Sequence, residues 1–319
     1  MKPNPAHIKQ NVSLAEKTWF QTGGAASWYS EPTTVQSVQE AITWANHENL
    51  QIFILGKGAN ILISDTGFAG LVIHPKLIQI THEEVSTEVA LVTAQAGVSI
   101  DELIHYCLAH NMIGLEEFSA IPGTVGGSVF INIHYFTAAL SDFLQSATLM
   151  HTKTGEILKV DTSWFNFGYD YSTLHQEPYM VLDATFRVQR VSEKEAAYAL
   201  GRSVEITRHR KQRYPYTGTC GSFFKNFSPD QITVTHNGKK AIWVAYYLDK
   251  LGIKGELCVG DACVSHQHAN MIVNKGSATS TDIISLARTM QEMMQKTFNL
   301  IPEPECQLIG FPEWPLLEK

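Results

Sequence analysis

The sequence predicts a multi-domain protein that mixes helices and strands, and three observations carry that prediction. The chain has 319 residues, more than a single compact core usually organises. Hydrophobic residues make up 44% of it and charged residues 17%, which is enough apolar material for sizeable cores and excludes a disordered chain. Short buried-strand patterns alternate with helical apolar spacings, and several of the breaks between them are glycine loops.

Taken in order, residues 33–49 place Val35, Val38, Ala41, Ile42 and Ala45 at helical spacing. Residues 51–55 (QIFIL) read as a buried strand that stops at Gly56-Lys57-Gly58-Ala59-Asn60. Residues 61–64 and 70–73 read as further strands, and 89–94 as another, followed by an amphipathic helix over 100–110. Ile121-Pro122-Gly123-Thr124-Val125-Gly126-Gly127 has the chemistry of a loop. Residues 149–160 read as a hairpin turning at Lys153-Thr154-Gly155, and 179–190 as a long strand. A helix is predicted over 193–213, becoming basic at its end, and Pro215 to Gly221 breaks it. The remainder reads as a separate α+β unit with helices over 240–251 and 279–298 and a strand over 270–273. Thr279 or Thr281 is placed to cap the last helix, with Asp282 in its first turn.

A net charge of -7 argues against nucleic acid as the main partner. The five cysteines are odd in number and scattered, so no disulfide scaffold is expected. No apolar run reaches the ~18 residues of a membrane span, and the first residues lack the apolar stretch of a signal peptide. The expected setting is therefore cytoplasmic and reducing, with no membrane partner.

Five features carry possible chemistry. The two glycine loops let backbone N–H groups approach a diphosphate, and they serve equally as ordinary turns; neither fits a Rossmann or Walker A pattern. Gly221-Ser222-Phe223-Phe224-Lys225-Asn226 presents a serine after a glycine-rich break, either as a proton donor or as the start of a strand. Arg202, Arg208, Arg210, Lys211 and Arg213 form a basic run, either a solvated helix face or a set of diphosphate ligands. Cys258, Cys263, His266 and His268 are zinc-ligand types, but their spacing matches no common site, and no metal is expected. Glu305 lies among apolar residues, which permits a raised pKa, although a lone carboxylate is commonly surface.

Together these segments resemble the UDP-N-acetylenolpyruvoylglucosamine reductase family. The resemblance runs from about Asn11 to Gly310: Thr18-Trp19-Phe20 with Gly23-Gly24-Ala25, residues 55–73, residues 121–127, GSFFKN at 221–226, residues 263–274, and residues 305–310, all in the family's order. It implies an α+β fold with a two-lobed FAD-binding domain of the vanillyl-alcohol-oxidase (PCMH) type and a smaller α+β substrate-binding domain. The implied boundaries are 1–76 for lobe 1, with the tail 302–319 packing near it, 77–205 for lobe 2, and 206–301 for the substrate domain. It implies FAD as cofactor, NADPH as reductant, a nucleotide-sugar substrate, a monomer, and a place in peptidoglycan synthesis, hence in cell shape and division. Gly56, Lys57, Gly58, Ala59, Asn60, Ile121, Pro122, Gly123, Thr124, Gly126 and Gly127 are the implied cofactor-binding residues. Ser222 matches the proton donor and Glu305 the acid that stabilises the enolate, while Arg213, Lys225, Asn226 and His268 form the implied substrate set.

Two segments depart from the family. Its Tyr-Arg-x-Ser arginine, which helps bind the substrate carboxylate, is replaced in Tyr169-Asp170-Tyr171-Ser172 by Asp170. Losing such a charge-assisted donor costs ~2–4 kcal/mol at a transition state. Its Asn-Ala-Gly-Ala-Tyr-Gly is here Asn132-Ile133-His134-Tyr135-Phe136-Thr137, so side chains stand where two glycines did. His134 or Tyr135 is expected to fill part of the site and compensate for the arginine. Ala59, where the family often has Ser or Thr, is a milder change. Two alternatives remain open at this point: a flavin oxidoreductase of the same fold acting on another nucleotide sugar or carboxylate, and a flavin- or nucleotide-binding protein without turnover.

Overall fold

The structure is a computed structural model that describes residue 5 and residues 7–318. Its contacts divide the chain into two compact units. Of the described residues, the first comprises 5, 7–12, 26–57 and 69–210, and the second 13–25, 58–68 and 211–318.

The first unit holds two sheets. The smaller runs in the order Ile8–Ser13, Ala25–Ser30, Phe68–Ile73, Gln51–Ile54, with the last two strands parallel. Its first two strands were not apparent from sequence periodicity. Helix α1 (Val35–His47) starts at Thr34, which forms a reciprocal capping box with Ser37. The helix buries Val38, Ala41, Ile42 and Ala45 in a core with Leu71 and Ile73. Fully burying an aliphatic side chain of this size contributes roughly 1.5–3 kcal/mol over leaving it exposed, so this stripe fixes which face meets the sheet.

The larger sheet is antiparallel, in the order Ile157–Asp161, Leu144–His151, Tyr179–Arg190, Val89–Gln95, Ile80–Glu84. Tyr179–Arg190 is its central strand, with the bounds its periodicity predicts. Helix α2 (Ile100–Ala109) is capped by Ser99 and Glu102, and α3 (Val125–Ile131) by Thr124. The second glycine segment is thus a loop only as far as Thr124, and Val125-Gly126-Gly127 is the first turn of a helix. Helix α4 (Glu193–Arg213) follows the central strand and has the predicted bounds.

The second unit contains α5 (Val244–Lys250), α6 (Ser280–Phe298) and a three-stranded sheet, Cys258–Val259, Ala262–Val264, Ile272–Asn274. Its core includes Phe223, Phe224, Tyr247, Leu286 and Met290. The amino-terminal segments join this unit for visible reasons. Phe20 and Leu62 lie in its core, and Asn274 donates from Nδ2 to the Phe20 carbonyl at 2.8 Å. Ile61–Ile63 pairs in parallel with Gln307–Ile309. Asp65 accepts hydrogen bonds from the Ser280 N–H (2.8 Å), the Thr281 N–H (2.9 Å) and the Thr281 hydroxyl (2.7 Å). Thr279 is the N-cap of α6 and Asp282 closes its capping box, so Thr281 serves Asp65 rather than its own helix. Burial opposes ionisation of Asp65, but the bonds from Thr281 and Ser280 outweigh it and hold the carboxyl below its usual range.

The cysteines correct one expectation. Cys258 and Cys263 are joined by a disulfide, their Cα atoms 4.1 Å apart. Gly260-Asp261 makes a two-residue turn that sets Cys258 directly opposite Cys263 in the antiparallel register. The sequence signal was the glycine-aspartate pair midway between them, which a count of cysteines does not register. Cys107, Cys220 and Cys306 are free and buried.

Candidate functional site

In the first unit the two glycine segments meet. Leu55 extends the strand ladder by one bond to the Ile73 carbonyl (2.8 Å), and Gly56 begins the loop. A Cβ at Gly56 would lie 2.8 Å from the Thr124 hydroxyl oxygen, so only glycine allows this approach. Thr124 itself accepts from the Gly127 N–H at 3.3 Å. The second segment is pinned by Val125 N–H to the Val98 carbonyl (2.8 Å) and Gly126 N–H to the Ala96 carbonyl (3.0 Å). Among the described residues, the N–H groups of Gly56, Lys57, Gly123 and Thr124 donate to no group of the chain. Unsatisfied donors in a glycine-lined loop are what a diphosphate needs. The residues present therefore fit the diphosphate of a dinucleotide, and Lys57 adds a cation.

The rest of the first loop is tied down in the second unit. Gly58 has φ +66°, and a Cβ there would lie 2.5 Å from the Lys17 carbonyl oxygen. Its own carbonyl accepts from the Trp19 N–H at 3.0 Å, which gives the Thr18-Trp19 motif a physical role. Asn60 donates from Nδ2 to the Glu305 carbonyl at 3.4 Å, and its carbonyl accepts from the Gln307 N–H at 3.1 Å. The Oδ1 of Asn60 is buried without a hydrogen-bond partner, a polar atom left for a ligand to satisfy.

The same unit brings Ser222 and Glu305 together around one residue. Phe223 donates to the Asn270 carbonyl (2.8 Å), and its own carbonyl accepts from the Glu305 N–H (2.8 Å) and the Cys306 N–H (3.3 Å). Lys225 donates to the Glu303 carbonyl at 2.9 Å. Asn270 brackets the next residue, accepting from the Phe224 N–H at Oδ1 (3.1 Å) and donating from Nδ2 to the Phe224 carbonyl (2.8 Å). Phe223 and Phe224 are fully buried and anchor the segment, whereas Ser222 and Glu305 are half-buried. Burial pushes the neighbouring Cys220 thiol up, reinforced by Cys306 and by the charge of Glu305. Asn226 accepts from the Val244 N–H at 3.3 Å, which ties it to the start of α5. Sequence reasoning quoted Asn270 only within a matched segment, and its bracketing role needs the fold to be seen.

Arg213 and His268 meet through Tyr214. The Arg213 guanidinium carbon lies 5.5 Å from the Tyr214 ring centroid, and the His268 ring meets Tyr214 edge-on at 5.5 Å. Burial drives the His268 pKa down to about 4, helped by the charges of Arg213 and Lys254. Its Nδ1 is buried and makes no hydrogen bond, so a neutral imidazole stands beside an arginine with one ring nitrogen unused. Lys225 and Asn226 lie on the segment that follows Ser222 instead, so the implied substrate residues form two groups within one unit. Cys263 is committed to the disulfide, and no cluster of three metal-ligand side chains occurs among the described residues.

Comparison with known proteins finds two family matches along the chain. The FAD binding domain family matches residues 26–161, and the C-terminal domain of UDP-N-acetylenolpyruvoylglucosamine reductase matches residues 212–309. The chain is 34% identical over 303 residues to a UDP-N-acetylenolpyruvoylglucosamine reductase of Gloeobacter violaceus, covering 95% of this chain and 96% of that one. It is 33% identical, again over 303 residues, to the protein of that name from Listeria monocytogenes, covering 95% of each. Among solved structures, the same reductase from Thermus caldophilus superposes with a TM-score of 0.76 at 25% identity, covering 95% of this chain and all of that one.

Proposed function

This chain belongs to the UDP-N-acetylenolpyruvoylglucosamine reductase family, and from that premise we propose that it reduces the enolpyruvyl ether of UDP-N-acetylglucosamine to UDP-N-acetylmuramate. The observation that carries the proposal is the Glu305 N–H bonded to the carbonyl of Phe223, the residue that follows Ser222 in the chain, in a unit whose other residues include Arg213, His268 and Asn226. FAD, when bound, would supply hydride-transfer chemistry for the substrate's methylene carbon, with NADPH as its reductant. Gly56, Lys57, Gly58, Ala59 and Asn60, with Ile121, Pro122, Gly123, Thr124, Gly126 and Gly127, hold that cofactor in this reading.

Hydride addition leaves negative charge on the neighbouring carbon and its carboxylate. Ser222 gives its hydroxyl proton to that carbon, completing the lactyl ether. Glu305, as the acid, donates a hydrogen bond to the developing enolate and lowers its energy before Ser222 acts, keeping its own proton. Arg213 pairs with the nucleotide diphosphate. His268, kept neutral by its surroundings, donates or accepts a hydrogen bond without adding charge. Asn226 and Lys225 hold polar groups of the sugar nucleotide. A monomer in the cytoplasm, handling only small molecules, completes the reading, and no helix among the described residues is long and apolar enough to cross a membrane.

Asp170 favours a second reading, in which the same machinery reduces a different nucleotide sugar or acid. An anaerobic visible spectrum separates the two. The flavin band is expected to bleach with NADPH and return with the enolpyruvyl nucleotide. A band that bleaches and does not return would leave the flavin chemistry and remove this substrate.

A further inference from the structure

The two segments that depart from the family keep their frame and exchange their charges. Asn132, at the end of α3, donates from Nδ2 to the Gly168 carbonyl (3.2 Å) and accepts at Oδ1 from the Ser141 N–H (3.0 Å). Ser172 is fully buried and donates from its hydroxyl to the Phe130 carbonyl at 2.6 Å. These bonds seat residues 168–172 against the hairpin His134–Tyr135 with Ala138–Ala139. Inside that frame two replacements face each other. His134 stands where the family has glycine, Asp170 stands where it has arginine, and His134 Nδ1 lies 3.5 Å from Asp170 Oδ1. The Tyr169 ring covers the imidazole at a centroid distance of 4.7 Å.

Exposure divides the pair. The Asp170 side chain is 7% exposed and that of His134 33%, so the carboxylate is inside and the imidazole reaches outward. Asp170 has φ +50°, a left-handed conformation that aspartate tolerates better than most residues. A buried carboxylate requires a partner. With its nearer nitrogen turned to Asp170, His134 has Nε2 left to donate elsewhere. Tyr135 is occupied otherwise: its hydroxyl is 3.3 Å from His209 Nδ1, and the Arg210 guanidinium carbon lies 5.1 Å from its ring centroid. Two further titratable residues, Tyr171 and His175, stack on each other beside this loop.

We propose that His134, held by Asp170, takes over the work of the family's arginine and donates a hydrogen bond from Nε2 to the carboxylate of the enolpyruvyl substrate. The proposal rests on the reductase reading. It explains why an acidic residue is tolerated at position 170: the aspartate orients the replacement donor and does not meet the substrate. The exchange is a paired one, glycine with arginine in the family and histidine with aspartate here.

The test is stopped-flow on the FAD-loaded enzyme, following bleaching by NADPH and recovery by the enolpyruvyl nucleotide as separate steps. In His134→Ala the recovery step is expected to slow about 100-fold, the loss typical of one anion-stabilising donor, with bleaching much less affected. His134→Lys restores a cation and recovers most of that loss. The double variant His134→Gly with Asp170→Arg rebuilds the family arrangement and recovers it as well, even where His134→Ala folds poorly. The proposal is overturned if His134→Ala recovers at the wild-type rate, or if both restoring variants stay as slow as His134→Ala while retaining FAD. Wild-type enzyme that bleaches but never recovers overturns the reductase reading itself, a separate outcome.

Discussion

The segment around Ser222 and the segments around Asp170 solve the same kind of problem in opposite ways. Ser222 sits in an extended segment whose neighbours are held by main-chain bonds to 270 and 303–306, with two buried phenylalanines as anchors. The Asp170 loop is held by two side chains, Asn132 and Ser172, and its charged positions have been exchanged. In the first region, on the proposed reading, Ser222 cannot change without losing the proton it gives. In the second, the frame is preserved while the chemistry inside is open to replacement, provided a hydrogen-bond donor is delivered from elsewhere. Constraint on proton handling and constraint on charge are therefore not equally strict.

The sharpest test of that contrast is Ser222→Ala. Removing the proton donor should slow flavin recovery by the enolpyruvyl nucleotide by about 10²–10⁴-fold while bleaching by NADPH persists, as read by stopped-flow. If recovery stayed fast, the Ser222 region would lose its claim to stricter constraint. Next is Asn270→Ala. It strips both bonds from the Phe224 backbone at a site that is 2% exposed, and is expected to cost about 3 kcal/mol in denaturant unfolding.

Asn132→Ala makes the matching change in the other region. It removes the ties to Gly168 and Ser141 from a residue at φ +51°, for a loss of about 2 kcal/mol. The same variant should weaken the His134 contribution along with the frame. The smallest effect is on pH dependence. Burial, then Arg213 and Lys254, lower the His268 pKa from 6.5 to about 4 in the folded protein. The unfolded chain therefore binds this proton first, so stability present above pH 6.5 is lost progressively as pH falls toward 4. His268→Gln should flatten that part of a melting-temperature profile, and an unchanged slope would mean that the imidazole is not kept neutral.

Much of this was legible beforehand because it depends on local pattern. The bounds of Tyr179–Arg190 and Glu193–Arg213 follow from periodicity, and the glycine loops from composition. Ser222 and Glu305 were legible only through the family resemblance, since they lie 83 positions apart and nothing local joins them. Three things needed the fold itself. The Cys258–Cys263 pairing depends on hairpin register. The placement of residues 13–25 and 58–68 with the carboxy-terminal unit depends on Phe20, Leu62 and Asp65 finding distant partners. The His134–Asp170 pair joins two departures that look independent along the chain.

The most direct measurement of the central claim is a single turnover. The protein is loaded with FAD, reduced anaerobically with NADPH, freed of excess nucleotide, and mixed with one equivalent of the enolpyruvyl sugar nucleotide, and the product is identified by mass. The account predicts recovery of the oxidised flavin band together with an equivalent of lactyl ether, heavier than the substrate by one hydride and one proton. A band that stays bleached, or that returns with the substrate unchanged, would contradict it.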